Sequence, residues 1–114
     1  MQHRDKIIFE KIISESNICL EMIGNLSEEE FLQDELRKRA VGMTLINIGE
    51  LVKNITDETR MENKNIPWKS IAGMRDLTAH KYQTLRMEDV YNTAVNDIPE
   101  FKSQLEEILS KVQD

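Results

Sequence analysis

The chain has 114 residues, 39% of them hydrophobic, which is enough for one packed domain and too short for two. Its longest uncharged stretch, residues 40–49, is much shorter than the roughly eighteen apolar residues that a membrane span needs. The formal net charge of −6 argues against a general nucleic-acid binder, unless basic residues gather in one segment. We therefore expect a single domain over residues 1–114 with no membrane as a partner.

The composition favours helices and a reducing compartment. Leu, Ile, Met, Glu and Lys are frequent, whereas the chain contains two prolines and four glycines. Unbranched side chains lose little rotamer freedom in a helix, so this balance favours helix over strand. The single cysteine, Cys19, has no disulfide partner, and the first six residues lack the apolar core of a secretory signal. We expect a cytoplasmic protein.

Two long helical regions are predicted in the first half of the chain. The first runs from about Asp5 to Gly24, where apolar residues recur at helical spacing: Ile8, Ile12, Cys19 and Ile23. Ser27 and Glu30 fit a capping box that opens a second region. This region extends to about Thr56 with an expected break near residues 33–34. Its apolar stripe predicts a buried face formed by Val41, Leu45, Ile48, Val52 and Ile55.

The second half of the chain predicts shorter helices. Pro67 is suited to the first turn of a third helix, which is expected to end at about His80. A fourth helix covers about residues 87–95, after which Pro99 is expected to break or kink the chain. A last helix places an apolar stripe at Phe101, Leu105, Ile108 and Val112. No segment alternates as a strand does, so the predicted fold is an all-α, antiparallel bundle of four or five helices.

One segment differs in charge from the rest of the protein. The stretch from Lys64 to Arg86 contains five basic residues and one acidic residue, Asp76, so its net charge is +4. The basic residues are Lys64, Lys69, Arg75, Lys81 and Arg86. A local cationic face of this kind attracts anions even in an acidic protein. A chance cluster on a solvated face explains the same pattern, and the charge alone does not distinguish the two.

Three residues in this segment suit phosphate chemistry. In a regular helix Asp76 and His80 share a face, so the carboxylate is placed to orient the imidazole. His80 would take a proton from a ribose 2′-hydroxyl or give one to the leaving oxygen, and Arg75 would stabilise the phosphate charge. The 2′-hydroxyl makes RNA, not DNA, the expected substrate. One histidine does not easily perform both proton transfers, whereas a symmetric dimer brings two together.

The same residues have ordinary interpretations. Arg, Asp and His are common near helix ends, where a cationic side chain meets the helix dipole favourably. No second histidine lies near His80, and Cys19 is distant in sequence, so we expect no metal and no cofactor. Trp68 and Tyr91 are expected in the core or an interface rather than as platforms for RNA bases. From spacing alone, catalysis and a purely structural role both stay open.

The pattern resembles a known family. Residues 75–82, Arg-Asp-Leu-Thr-Ala-His-Lys-Tyr, resemble the Arg-(four residues)-His-x-Tyr signature of the HepT-like branch of the HEPN superfamily. Residues 66–74 are similar to the family's lead-in to this motif, residues 48–50 to its second-helix signature, and residues 96–99 to its downstream segment. The resemblance covers nearly the whole chain. At Asp76 the family often has Asn, and a carboxylate there would either orient His80 or bind Arg75 and weaken RNA binding.

The resemblance implies a specific function. It implies a dimer whose two motifs face each other across a cleft, with metal-independent RNase activity that requires Arg75 and His80. It also implies a small nucleotidyltransferase antitoxin of the MntA type, which silences the toxin by transferring AMP to Tyr82. Lys69, Lys81 and Arg86 are then the candidates for binding a tRNA or mRNA substrate. Two alternatives remain: a non-catalytic helical module that binds such a nucleotidyltransferase or a nucleotide, and a plain structural dimer.

Overall fold

The protein is a bundle of α-helices. The computed structural model describes residues 1–76 and 86–112, with the backbone alone at positions 75 and 76. The α-helices are α1 (His3–Ile23), α2 (Glu28–Leu32), α3 (Glu35–Lys53), α4 (Asp57–Glu62), α5 (Trp68–Ala72), α6 (Met87–Asn92) and α7 (Ile98–Lys111). A 3₁₀ turn, Gly73–Asp76, follows α5, and a π-helical turn, Thr93–Asp97, joins α6 to α7. Over these two ranges the chain forms no strand, and no helix combines the length and apolarity that a membrane crossing needs.

Three long helical segments form the bundle. The side-chain amide of Asn47, in the middle of α3, donates a hydrogen bond to Glu15 of α1 at 3.0 Å. Asp5, near the start of α1, contacts Thr56, just beyond the end of α3, so these two helices are antiparallel. The Tyr91 hydroxyl of α6 donates to the carbonyl of Leu26, which follows α1, at 2.7 Å. The segment from α6 to α7 therefore also runs opposite to α1, which confirms the predicted all-α bundle.

The local signals for helix ends are confirmed. The Ser27 hydroxyl accepts from the Glu30 backbone N–H at 3.2 Å, and the Glu30 carboxylate accepts from the Ser27 backbone N–H at 2.9 Å. The predicted break falls at residues 33–34, where Asp34 caps α3 by accepting from the Arg37 backbone N–H at 3.0 Å. Helix α1 ends at Gly24, whose φ of +50° is in the left-handed region that glycine adopts without a Cβ penalty.

The predicted apolar stripes form the core. All five stripe residues of the second region are buried, together with the four named in α1. Of the last predicted stripe, Phe101 and Leu105 in α7 are buried. Ile108 in α7 and Val112, just beyond its end, are only half-buried. Large side chains from the three long segments thus meet in one core, which includes Phe9, Leu45, Ile48 and Phe101. Helical periodicity gave the core positions correctly because each long helix buries a single face.

A buried carboxylate holds α1 to α4. Asp5 is fully buried and accepts from the Thr56 and Thr59 hydroxyls, both at 2.6 Å, and from the Thr56 backbone N–H at 3.1 Å. Burial acts to raise the pKa of Asp5, but the hydrogen bonds from Thr56 and Thr59 outweigh it, so the pKa is lowered. Asp5 therefore stays ionised in the core and fixes the start of α1 against the N-terminus of α4.

Pro99 was predicted to break or kink the chain, and the break is wrong. The residues from Met87 to Lys111 form one continuous helical segment, with Pro99 in the first turn of α7. Proline has no N–H and its ring clashes with the carbonyl four residues earlier, so an α-helical turn does not accommodate it easily. The wider π-helical turn at Thr93–Asp97 stands immediately before this point. A local change of helix type thus takes the place of the expected break.

Candidate functional site

Trp68 fixes the position of α5, the helix that precedes the motif of residues 75–82. Trp68 is buried, and its indole N–H donates to the Asn63 carbonyl at 3.0 Å. Its ring lies 6.1 Å from the ring of Phe9 in α1 and packs edge-on to Phe101 in α7, with the centroids 5.9 Å apart. The predicted core role of Trp68 is confirmed. Because one side chain contacts both long segments, α5 has a defined place on the bundle.

The 3₁₀ turn after α5 carries the first two motif residues. The third helix was predicted to continue to about His80, but α5 ends at Ala72 and residues 73–76 form the 3₁₀ turn. The regular α-helical geometry expected at Arg75 and Asp76 is therefore wrong, because a 3₁₀ helix has three residues per turn. Asp76 is therefore not part of the α-helix that was expected to place it on one face with His80. Gly73 at the junction has open space where a Cβ would be.

The structure describes only some of the other residues that were predicted to form the RNA-cleaving site. His80, Lys81 and Tyr82 lie outside the described residues. Arg86 precedes α6, is mostly exposed, and has a guanidinium nitrogen 3.6 Å from the carboxylate of Glu88. Lys69 is exposed on α5, in the same continuous helical segment as Arg75. Of the predicted site, the structure thus places Lys69, Arg75 and Asp76 on one short stretch of backbone.

A basic hollow lies beside α5. It has a volume of about 360 Å³, and three cationic side chains line it: Arg60, Lys64 and Lys69. The Arg60 guanidinium is occupied, since it donates to the Val52 carbonyl at 2.7 Å and to the Ile55 carbonyl at 3.3 Å at the end of α3. Neither Lys64 nor Lys69 has an ion-pair partner within the ranges that the structure describes. These two ammonium groups are available to an anion such as a phosphate.

Arg60 was missed by sequence reasoning. It lies four residues before the segment in which the basic residues were counted, and the acidic residues around it mask its charge. A signal was present, because a cationic side chain shortly after a helix end commonly binds the last carbonyls of that helix. That signal predicts helix capping, not the presence of Arg60 beside Lys64 and Lys69. Its place in the hollow depends on how α3, α4 and α5 pack.

The described residues offer little to a metal ion or a nucleophile. Across residues 1–76 and 86–112, no group of three or more His, Cys, Asp or Glu side chains is arranged to bind a metal. Cys19 is fully buried, and burial raises the pKa of its thiol to about 11. A protonated, buried thiol is a poor nucleophile. Tyr91, expected in the core or an interface, is half-buried, with its ring 5.4 Å from that of Phe31.

Comparison with known proteins gives a consistent result. A sequence model described as "Ribonuclease HepT-like" matches residues 12–108. A protein of Caldanaerobacter subterraneus subsp. tengcongensis named "Putative RNase" is 38% identical over 102 residues, which cover 90% of this chain and 91% of that protein. A Thermococcus cleftensis protein named "Probable ribonuclease HepT" is 31% identical over 108 residues, covering 95% of this chain and 98% of that protein. No solved structure matches the chain.

Proposed function

Because the chain belongs to the HepT-like ribonuclease family, we propose that it is a metal-independent endoribonuclease. The observation that carries this proposal is the family match over residues 12–108, which includes the whole Arg-(four residues)-His-x-Tyr motif of residues 75–82. Relatives named as ribonucleases match over at least nine-tenths of this chain, so the shared region includes the motif and the surrounding bundle. Residues 1–114 form a single domain in this proposal.

The motif supplies the chemistry. His80 takes the proton of the attacking 2′-hydroxyl or gives a proton to the leaving 5′-oxygen, while the Arg75 guanidinium stabilises the charge on the phosphate. In this proposal Asp76 supports the imidazolium form of His80 from the 3₁₀ turn rather than from a shared α-helical face. The working unit is a symmetric homodimer, since two copies facing each other across a cleft supply one histidine for each proton transfer. Neither step needs a metal ion.

Substrate binding involves the cationic side chains around the motif. Lys69, Lys81 and Arg86 contact the phosphates of a tRNA or mRNA. The exposure of Lys69 on the basic hollow supports its part in this role. Arg86 contributes less, because the nearby Glu88 carboxylate partly neutralises its charge. Each contact with a phosphate increases the affinity for RNA and makes that affinity more dependent on salt. It does not discriminate between RNA sequences.

Regulation follows from the same motif. The protein acts in the cytoplasm as the toxin of a type VII-like toxin–antitoxin pair. An MntA-like nucleotidyltransferase transfers AMP from ATP to the Tyr82 hydroxyl, which forms a phosphodiester and releases pyrophosphate. The added phosphate places negative charge and bulk beside Arg75 and His80, which repels RNA and blocks the cleft. Mass spectrometry of the protein after co-expression with the adjacent nucleotidyltransferase tests this step. A Tyr82→Phe variant that is modified to the same extent would place the AMP elsewhere.

The central test is RNA cleavage in EDTA. Wild type is expected to cut a tRNA or mRNA pool, whereas His80→Ala and Arg75→Ala are expected to lose activity by about two orders of magnitude or more. His3→Ala is the matched control, because His3 lies at the exposed start of α1, outside the motif. Equal cleavage by wild type and His80→Ala would refute the assignment of His80 as the proton-transfer group.

A non-catalytic accessory module is the alternative, and the net charge of −6 favours it. It predicts a stable complex with a nucleotidyltransferase and normal growth when the chain is expressed alone. The ribonuclease proposal predicts growth arrest that requires both Arg75 and His80. Expression of wild type and of the two alanine variants, without the partner, separates the alternatives.

A further inference from the structure

A second, larger cavity lies on the other side of α5. It has a volume of about 560 Å³ and is formed where α5 and the 3₁₀ turn face the π-helical turn and α7. Its floor is apolar, with Ile71, Met74 and Phe101, and Pro67 stands at its edge. Its remaining lining is polar: Asn65, Ser70, Thr93, Asp97, Glu100 and Gln104. A concave site with an apolar floor and a few polar groups is typical of small-molecule binding.

The polar lining combines acceptor and donor side chains. Asp97 and Glu100 are three residues apart in one continuous helical segment, so their exposed carboxylates are neighbours. Neither has a hydrogen-bond or ion-pair partner among the residues that the structure describes. Asn65, Ser70 and Gln104 add side-chain groups that can donate. A ligand that fits this rim presents adjacent N–H donors on one edge and an acceptor beside them.

The cavity adjoins the basic hollow. Pro67 and Ser70 line both, so a single ridge separates the acidic rim from the ammonium groups of Lys64 and Lys69. A ligand that spans the ridge carries N–H donors at one end and negative charge at the other. A nucleotide has this form, with a flat donor-bearing base and a phosphate. A cationic peptide suits the carboxylates but meets repulsion from the lysines, and a divalent cation leaves the apolar floor unused.

We propose that this cavity binds one unstacked guanine base of the RNA, with the adjacent phosphate on Lys64 and Lys69. The guanine N1–H and N2–H groups point toward Asp97 and Glu100, and the adjacent O6 accepts from a neighbouring donor such as the amide of Gln104, one turn beyond Glu100. Uracil presents two carbonyl oxygens on the same edge, which the carboxylates repel. The site is the specificity element of the proposed ribonuclease and rests on that function. It lies beside Met74, next to the motif arginine.

Binding is testable without any cleavage. Trp68 is the only tryptophan of the chain, lines the hollow and packs against Phe101 of the cavity floor, so its fluorescence reports on both. The full chain is titrated with GMP, AMP, CMP and UMP. The Kd for GMP is expected to be lower than the Kd for UMP by about tenfold or more, which is the discrimination that one good bidentate contact to a base provides. Equal affinities for GMP and UMP, or no response to any nucleotide, would overturn the proposal. A response to MgCl₂ with none to GMP would do so as well.

Two kinds of variant assign the two ends of the ligand. Asp97→Asn and Glu100→Gln each replace one acceptor by a donor, so the preference for GMP over UMP is expected to fall severalfold. Glu106→Gln is the matched control, since Glu106 is exposed on the same helix and does not line the cavity. Lys64→Gln is expected to weaken all four nucleotides alike without changing their order. A GMP preference that survives both carboxylate variants, or that falls equally in Glu106→Gln, contradicts the assignment.

The cleavage assay separates this proposal from the ribonuclease proposal. Mapping cut sites in EDTA is expected to show guanine at one fixed position near the cut in wild type, and a relaxed preference at that position in Asp97→Asn. If the RNA is cut without any such preference, the guanine site is wrong and the ribonuclease stands. If nothing is cut but GMP still binds selectively, the ribonuclease proposal is wrong and the base site stands.

Discussion

The buried carboxylate of Asp5 gives the sharpest prediction about stability. Asp5→Asn removes the negative charge and one acceptor oxygen, while two threonine hydroxyls and one backbone N–H still point at the site. A hydrogen bond to a charged group contributes about 1.5–3 kcal/mol, and a neutral one about half of that. Both hydroxyls donate to Oδ2 and the backbone N–H donates to Oδ1, so the Asn amide leaves either the two hydroxyls or the N–H without its acceptor. We expect a loss of about 2–4 kcal/mol in the free energy of unfolding. For a chain of this size this lowers Tm by about 8–15 °C.

The pH dependence follows from the lowered pKa of Asp5. The folded-state pKa lies below the unfolded value of about 3.9, so the stability that ionisation adds is complete above about pH 5. It is lost as the pH falls through the folded pKa. Urea unfolding near neutral pH and at about pH 3 is therefore expected to show a smaller gap between wild type and Asp5→Asn in acid. Thr59→Val, which removes one of the hydroxyl donors, is expected to cost less once Asp5 is already Asn.

A matched control shows whether the buried position matters. Asp57→Asn makes the same chemical change in the first turn of α4, where Asp57 is exposed. It is expected to cost about 0.5 kcal/mol or less. If Asp5→Asn is no more destabilising than Asp57→Asn, or if the gap from wild type does not narrow in acid, the hydrogen bonds to Thr56 and Thr59 do not stabilise the fold as argued.

Three further predictions concern other positions. Gly24→Ala is expected to lower the free energy of unfolding by about 1 kcal/mol, measured with urea. The cost comes from the φ of +50°, since a Cβ at this position would meet only ordinary contacts. An unchanged urea midpoint would show that this backbone conformation is not strained for alanine. Cys19 is expected to react with a thiol reagent roughly 100 times more slowly, or slower still, in the native state than in denaturant. The reaction needs the core to open, so its rate follows the equilibrium population of the open state. Fast labelling of the native protein would show that the thiol is accessible. Trp68→Phe is expected to lower the free energy of unfolding by about 1–3 kcal/mol, because the hydrogen bond to Asn63 and part of the ring packing are lost. The loss is measured as a lower Tm. An unchanged Tm would show that other contacts hold α5 in place.

Much of the fold could be predicted from local signals. The capping box at Ser27, the helix end at Gly24 and the buried stripe from Val41 to Ile55 all depend on residues within a few turns of one another. Such signals act before any tertiary contact forms, so periodicity and capping chemistry are sufficient to locate them. The helix type after Ala72 and before Pro99 was not predicted, because an α-helix, a 3₁₀ turn and a π turn share nearly the same apolar spacing over one turn.

The sequence by itself determined an all-helical chain, most of its core positions and the family to which it belongs. The tertiary structure alone decided that Asp5 contacts Thr56 and Thr59. It also decided which residues line a common pocket, such as Arg60 with Lys69 and Asn65 with Asp97 and Glu100. The physical reason is that helix formation depends on neighbours within about four residues, whereas pockets and buried polar clusters arise where separate helices pack. The basic hollow and the cavity beside it are properties of that packing, and the proposed guanine site depends on it.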